Sequence, residues 1–364
     1  MTLMLMLPQP PELVQDLAPS QPKASSHGVG FTVINFNTAA QTVRCVVSLL
    51  QCIEPPDWIL VLDNASAQAD FEHLLHNLTP GNTTRVQLYR STVNLGFAGG
   101  SNFLVDCLLR LPTCSFVGLL NNDAVAQPVL TRALRTAFDT DAPRVGMSGG
   151  RMHRLAAPHE VDTLGITLYA SLMPADRKST TDPYLGPTGG CCMMTRSFLE
   201  DIIATTGYCF DARFFCYCED TDLVLRANLL GYQPAYVDAL VALHEGQASS
   251  GGRHNQFIAY HGLRNAMWMQ WKLLPSKLML RHAPLLLLAH LLTIIRQTIS
   301  GRFSLLWVIY RDAWRQRALF RTEHHRLAHL QRFDSVALRK RVSPRFYRQG
   351  YASAVLTEWK SHWL

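Results

Sequence analysis

Three carboxylates fall within four residues at Glu219-Asp220-Thr221-Asp222, directly after the aromatic run Phe214-Phe215-Cys216-Tyr217-Cys218. A helical pattern follows: Leu223, Ala227 and Leu230 recur at helical spacing, and Gly231 supplies a C-cap. Asp220 or Asp222 therefore stands near a helix N-terminus, where free N–H groups and the helix dipole favour an ionised carboxylate. An ionised, aimed carboxylate is what a general base needs to be. The plainer reading of the same residues is an acidic cap on a surface helix. Four more polar residues, Asn35, Asp63, Asn94 and Asp123, end or follow apolar runs further upstream.

The elements that must position these groups follow from the apolar pattern. Residues 29–35 read as a buried strand, and Thr38 opens a helix through Val43, Val46, Val47 and Leu50. Strands are expected at 58–62, 85–90 and 116–120, with a helix from the glycine-rich stretch after Asn94 to Leu111. Strands alternating with helices at this spacing imply a mostly parallel sheet with helices on both faces, an α/β fold. Ligands of such sheets bind beyond the carboxyl ends of the strands, where Asn35, Asp63, Asn94 and Asp123 fall. Residues 145–190 are less regular. Beyond them come a strand after Gly189-Gly190, the helix after Asp220, a strand at 235–241, His244, and a Ser/Gly-rich loop at 247–254.

The chain has 364 residues, 48% of them hydrophobic, enough for a large core. Its +7 charge is uneven: residues 281–364 hold 15 Lys/Arg against 4 Asp/Glu. A basic, apolar C-terminal third points to an anionic membrane surface, and no zinc-finger spacing or aromatic-interleaved basic pattern points to nucleic acid. Residues 283–295 are strongly apolar and fenced by Arg281 and Arg296, but shorter than the roughly 20 residues a bilayer takes. With a second apolar piece at 303–310 they read as an interfacial hairpin, or alternatively as a buried hairpin of a soluble subdomain. Arg264-Asn265, on a helix over 260–274, either binds a ligand or packs. Nine cysteines, with no C-x-x-C pair among Cys191, Cys192, Cys209, Cys216 and Cys218, read as small buried hydrophobes in a reducing compartment. The expected organisation is a disordered leader (1–27), an α/β domain (28–255) and a helical, membrane-associating region (256–364), on the cytoplasmic face of the membrane.

Laid out in order, these pieces resemble the family-2 glycosyltransferases of the GT-A fold, most closely the bacterial rhamnosyltransferase-type branch. The matching residues are Asn35-Phe36-Asn37, Leu62-Asp63-Asn64-Ala65-Ser66, the run from Asn94 to Asn102, and Leu120-Asn121-Asn122-Asp123. They continue with Gly189-Gly190-Cys191-Cys192, Phe210-Asp211-Ala212-Arg213-Phe214-Phe215, Glu219-Asp220-Thr221-Asp222-Leu223 and His244. The resemblance implies inverting transfer of a sugar from a nucleotide diphosphate sugar to a glycan or polyprenyl-linked acceptor. It implies that Asp63 reads the base, with Asn35, Asn37 and Asn64 near it. Asn94, Gly96, Gly99, Gly100 and Asn102 would shape the loop beside the nucleotide, and Asn121 and Asn122 would touch the donor. Asp123 and His244 would hold Mg²⁺ or Mn²⁺ on the diphosphate. Asp220 would be the base, assisted by Glu219 and Asp222. One departure stands out: Asn121 occupies the place where the family's acidic motif often begins with Asp. It motivates the alternative of a catalytically inactive nucleotide-sugar-binding or scaffold protein.

Overall fold

Along one expected strand Ile59 and Val61 join one buried apolar cluster, and Leu60 and Leu62 join another. Burial on both faces marks an interior strand covered by two layers. The computed structural model describes residues 9–22, 26–140, 144–246, 256–330 and 335–348. In chain order its first half runs β1 (Glu12–Leu17), β2 (Gly28–Asn35), α1 (Ala39–Leu50), β3 (Trp58–Asn64), α2 (Gln68–Asn77), β4 (Arg85–Ser91), α3 (Gly96–Leu109), β5 (Cys114–Leu120), β6 (Ala124–Ala126) and α4 (Leu130–Thr136). The second half runs β7 (Val145–Arg154), β8 (Ala157–Thr163), β9 (Ile166–Leu168), β10 (Pro174–Asp176), β11 (Cys191–Thr195), α5 (Arg196–Thr206), α6 (Glu219–Leu229) and β12 (Gln233–His244). Helices α7 (Gln256–Leu273), α8 (Ser276–Ile299), α9 (Phe303–Ala328) and α10 (Ser335–Lys340) follow.

The main sheet has the order β1-β4-β3-β2-β5-β11-β7-β12-β6, with β8 on β7. Strands β4, β3, β2 and β5 are mutually parallel, so their carboxyl ends open to one side. β11 runs antiparallel between β5 and β7, and β12 is parallel to β7. Helices α1, α2 and α4 bury one face of the sheet, while α3, α5 and α6 bury the other. The expected α/β class, a mostly parallel sheet with helices on both faces, is the one adopted. Helix α6 ends as expected: Gly231 is left-handed (φ 82°), and the Gly231 and Tyr232 N–H groups bond the Asn228 and Ala227 carbonyls at 3.0 and 2.9 Å.

Three local expectations change. Glu12–Leu17, read as part of a disordered leader, pairs antiparallel with β4 as an edge strand. It is largely exposed, and order comes from the β4 edge it covers. The irregular stretch 145–190 contains β7, a ten-residue interior strand whose Gly149 and Gly150 weaken its sequence signal. The apolar span at 283–295 lies inside a 24-residue helix, α8, which is long and apolar enough to cross a membrane. Only Leu278 of α8 is buried. The loop expected at 247–254 lies outside the described residues, as does most of the remaining leader.

The C-terminal helices are not a separate layer. Met267, Trp268 and Leu273 of α7 and Ile309, Ala313 and Phe320 of α9 share one core with α3, α5, α6 and β11. After α10 the chain returns as a strap. The Ser343 N–H bonds the Leu168 carbonyl at 2.8 Å, and Ser343 Oγ and Arg345 both bond Asp182, at 2.7 and 2.8 Å.

Candidate active site

A cleft of about 1090 Å³ opens beyond the carboxyl ends of β2, β3 and β5. Asn64, ending β3, organises one wall. Its Nδ2 donates to Asn94 Oδ1 (3.0 Å) and the Gly96 carbonyl (3.2 Å), and its Oδ1 accepts the Leu95 N–H (2.9 Å). Asn94 Oδ1 also accepts the Gly96 N–H at 2.8 Å, which sets the entry to α3. Gly96 is left-handed (φ 68°), and a Cβ there would stand 2.4 Å from the Phe215 carbonyl oxygen. Only glycine meets both demands. The Ala98 N–H then bonds that Phe215 carbonyl at 3.1 Å, joining the start of α3 to the loop before α6.

That loop carries three non-glycine residues in the left-handed region: Phe215 (φ 66°), Tyr217 (φ 70°) and Cys218 (φ 65°). Such conformations cost of order 1–3 kcal/mol each and persist only where surroundings enforce them. Buried Asn265 supplies the enforcement. Its Nδ2 donates toward the Phe214, Cys216 and Tyr217 carbonyls at 2.9, 2.9 and 2.8 Å, while Arg264 Nε holds its Oδ1 at 3.0 Å. Arg264-Asn265 thus packs and clamps the loop.

The loop delivers Glu219 and Asp220 to the cleft in the first turn of α6. Asp220 Oδ2 accepts the Gly189 N–H at 3.0 Å, and Oδ1 accepts the Thr221 N–H at 2.6 Å. Burial raises the Asp220 pKa above the ordinary carboxylate value, and these two bonds only partly offset it. Burial, then repulsion from Asp220, pushes Glu219 well up, and its Oε2 is buried with no hydrogen-bond partner among the described residues.

In the same cleft His244 Nε2 lies 3.1 Å from Asp123 Oδ1, and its Nδ1 lies 2.7 Å from Asp162 Oδ2. Burial lowers the imidazole pKa, but the bonds to Asp123 and Asp162 outweigh it and raise it to about 10. Asn121 Nδ2 stands 3.5 Å from His244 Nε2. Asp123 and His244 converge on one point, and Asp162 holds the far ring nitrogen as carboxylates do behind metal-bound histidines. No group of three or more His, Cys, Asp or Glu with metal-holding geometry occurs among the described residues. A hard oxygen and an imidazole nitrogen alone fit a divalent cation that draws its other oxygens from water and a bound anion.

Other residues expected at the site face elsewhere. Asn35 and Asp63 are fully buried: Asn35 Nδ2 donates to Asp63 (3.0 Å), Ser66 (3.0 Å) and Asp70 (2.9 Å), and Arg90 pairs with Asp63 at 3.4 Å. Asn37 takes a left-handed turn (φ 56°) and accepts the Ala67 N–H at 2.8 Å. Gly100 packs against Ile34 and Leu62, and Gly99 against Leu95. Asn102 exchanges two 2.8 Å bonds with the Phe210 backbone. Asp222, expected beside the base, is fully buried and pairs with Arg226 (2.7 Å) and Lys272 (2.5 Å). These residues set strand ends and helix positions and do not line the cleft. Asn64, Asn94, Gly96, Asn121, Asn122, Asp123, Glu219, Asp220 and His244 do. Asn122 lines it while donating to Thr38 and Thr42 at 2.6 and 2.9 Å. Sequence reasoning passed over Asp162, which reaches His244 only because β8 pairs with β7. It also passed over Lys272, whose partners lie 50 or more positions away.

No protein-family model matches the chain, and no curated protein sequence matches it. Among solved structures it is similar to the mannosyltransferase PcManGT from Pyrobaculum calidifontis in complex with GDP-Man and Mn²⁺. The identity is 15%, the TM-score 0.47, and the match covers 86% of this chain and 88% of that one. It is also similar to S. aureus TarS 1–349 (13% identity, TM-score 0.45, 86% and 91% covered). A third is GalNAc-T7 with UDP, GalNAc and Mn²⁺ (12% identity, TM-score 0.46, 69% and 48% covered).

Proposed function

We propose that the chain is an inverting GT-A glycosyltransferase of family 2. It would move a sugar, rhamnose from a dTDP donor or a sugar from a UDP donor by preference, to a lipid-linked or growing glycan. The observation that carries the reading is one cleft lined both by a half-buried, backbone-held carboxylate, Asp220, and by the Asp123–His244 pair. In the reaction the acceptor hydroxyl oxygen bonds the anomeric carbon as the bond from that carbon to the diphosphate breaks. The hydroxyl proton passes to Asp220, whose raised pKa makes it a stronger base than an ordinary carboxylate. The nucleoside diphosphate leaves with the bonding electrons, and inversion follows from this single displacement.

Asp123 and His244 would hold a divalent cation, Mg²⁺ or Mn²⁺, which when bound neutralises charge on the departing diphosphate. Asn64, Asn94 and the α3 N-terminus at Gly96 shape the donor side, while Asn35 and Asp63 fix the strand ends beneath it. Glu219, buried beside Asp220 with its own pKa pushed well up, flanks the base. The exposed apolar face of α8 and the basic C-terminal third would seat the enzyme on the inner face of an anionic membrane. A second reading, nucleotide-sugar binding without turnover, draws on Asn121, which brings an amide to a place suited to a carboxylate.

The deciding experiment is nucleoside diphosphate release from a panel of nucleotide diphosphate sugars, with Mn²⁺, Mg²⁺ or chelator, by wild type and Asp123→Ala. Slow, metal-dependent release from one donor, lost in the variant, is the expected result. Donor binding without release, even with acceptor glycolipid supplied, favours the non-catalytic reading.

A further inference from the structure

The donor cleft meets a second cavity of about 410 Å³ at the proposed base, where Asp176, Thr188, Tyr217, Cys218 and Asp220 line both. Asp176 is the second carboxylate at that junction. It ends β10, and its backbone is fixed on both sides. The Asp176 carbonyl accepts the Tyr169 hydroxyl at 3.2 Å, while the Arg177 N–H bonds the Gly165 carbonyl at 2.8 Å and the Arg177 carbonyl accepts the Leu164 N–H at 2.9 Å. The Asp176 side chain stays 43% exposed. Lys178 Nζ lies 4.0 Å from its Oδ2 and also 4.0 Å from Asp162 Oδ1, so one ammonium serves two carboxylates. Lys178 and Arg348 favour the ionised form of Asp176, and Thr163 bonds it. A carboxylate has room for about four hydrogen bonds, so its exposed edge can still accept from a ligand.

Tyr217, at the same junction, belongs to an aromatic wall. Its ring and that of Phe257 stand edge to face with centroids 6.3 Å apart, and Phe215 meets Phe257 the same way at 6.3 Å. Phe257 is 38% exposed, and all three residues line the donor cleft. Glu219 gives an independent sign of a ligand. It lines the same cleft at 6% exposure, and its buried Oε2 has no hydrogen-bond partner among the described residues. A buried polar oxygen in that state calls for a partner from outside the chain. Ionised carboxylates only accept hydrogen bonds, so a fitting ligand brings donors. Aromatic rings take apolar surface. A sugar ring offers both, with hydroxyls round its edge and C–H groups on its faces.

Resting on the glycosyltransferase reading, we infer that Asp176 determines acceptor specificity. It accepts a hydrogen bond from a second hydroxyl of the acceptor's terminal sugar, whose apolar face lies on Tyr217 and Phe257, while the attacking hydroxyl meets Asp220. The acceptor then already carries a sugar with two free hydroxyls. The enzyme extends a glycan that an earlier sugar transfer has begun, and does not place the first sugar on a ring-free alcohol or its phosphate.

The test is saturation-transfer NMR on the full-length protein with methyl glycosides of common hexoses and 6-deoxyhexoses, and with isoprenol as a ring-free alcohol. At least one glycoside should bind, and isoprenol should not displace it. Asp176→Ala should weaken that glycoside about tenfold, the loss expected for one charge-assisted hydrogen bond. Asp176→Asn, which keeps one acceptor oxygen, should retain part of the affinity. Monodeoxy analogues of the glycoside then locate the contact. Removing one particular hydroxyl should weaken binding to wild type about tenfold and to Asp176→Ala by about twofold or less, a coupling that a merely structural residue does not produce. A nucleotide-dependent rise in Tm, measured in parallel, reports that each variant is folded. Binding of no glycoside, displacement by isoprenol, unchanged affinity in folded Asp176→Ala, or hydroxyl losses equal in the two proteins overturns the inference. Failure of nucleotide to raise Tm in wild type counts against the donor reading alone.

Discussion

Lys272→Met tests how the catalytic helix is held. Four charged side chains that are at most 3% exposed meet beneath α6: Lys272 Nζ lies 2.7 Å from Asp211 Oδ2 and 2.5 Å from Asp222 Oδ1, and Asp222 also pairs with Arg226 at 2.7 Å. Two buried cations face two buried anions, and the partly exposed Arg213 also pairs with Asp211 at 2.5 Å. Methionine fills the lysine's volume but removes the one cation that Asp211 and Asp222 share, and breaking a buried pair from one side costs about 3–5 kcal/mol. At roughly 2–4 °C per kcal/mol, Tm should fall by on the order of 10 °C. Asp222→Asn added to Lys272→Met restores the cluster's original charge balance, so the double variant should lose at least about 1 kcal/mol less than the sum of the singles.

The pH dependence has a definite sign. Burial raises the Asp211 pKa, but the bond from Arg213 and the charge of Lys272 overcome it and hold the group down at about 2. A depressed folded pKa contributes stability that is complete above the unfolded value of about 4 and fades as pH falls toward 2. Without Lys272 the fade should begin at higher pH. Denaturant melts of the four proteins of the cycle across that range are the assay. Additivity within about 0.5 kcal/mol, or a Lys272→Met loss below about 1 kcal/mol, refutes the coupled cluster.

Asn265→Leu removes the clamp on three loop carbonyls and should lower turnover about 10- to 100-fold, as small misplacements of a catalytic group do. Nucleotide Kd from calorimetry should change much less, because the clamp does not touch the donor wall. Gly96→Ala places a Cβ against the Phe215 carbonyl in a left-handed backbone, so denaturant melts should report a loss of at least about 1–3 kcal/mol. Since burial raises the Asp220 pKa, kcat/KM should fall as pH drops through a midpoint above the ordinary carboxylate range; a profile flat down to about pH 4 contradicts that role.

The alternation of strands and helices was legible in the sequence because β2, β3 and β5 are buried on both faces and α1 carries a one-sided apolar stripe. The ends of β3, β4 and β5 could be read too, so Asn64, Asn94 and Asp123 were expected beyond them, and Asp220 was expected at the start of a helix. Which way each polar side chain turns was not legible. Asn35, Asp63 and Asp222 have the same composition signal as their neighbours, yet their partners, Ser66, Asp70, Arg90 and Lys272, are chosen by tertiary contacts. Asp162 gave no signal for the same reason. β7 was hidden by its glycines, which here admit close neighbours: a Cβ on Gly150 would stand 2.6 Å from Val241. The length of α8 was hidden because its first turns carry Lys277, Arg281 and His282, which interrupt the apolar run without interrupting the helix.

The central claim is that Asp220 takes the acceptor's proton beside a donor held in the same cleft. Its most direct test is Asp220→Asn, measured for both donor Kd and sugar transfer once a donor is in hand. The amide keeps the shape of the carboxylate and cannot accept the proton. Donor affinity within a few-fold of wild type, with transfer slowed about 10²- to 10⁴-fold, is the predicted result. Transfer within tenfold of wild type at equal donor affinity would contradict the account and move the base elsewhere in the cleft.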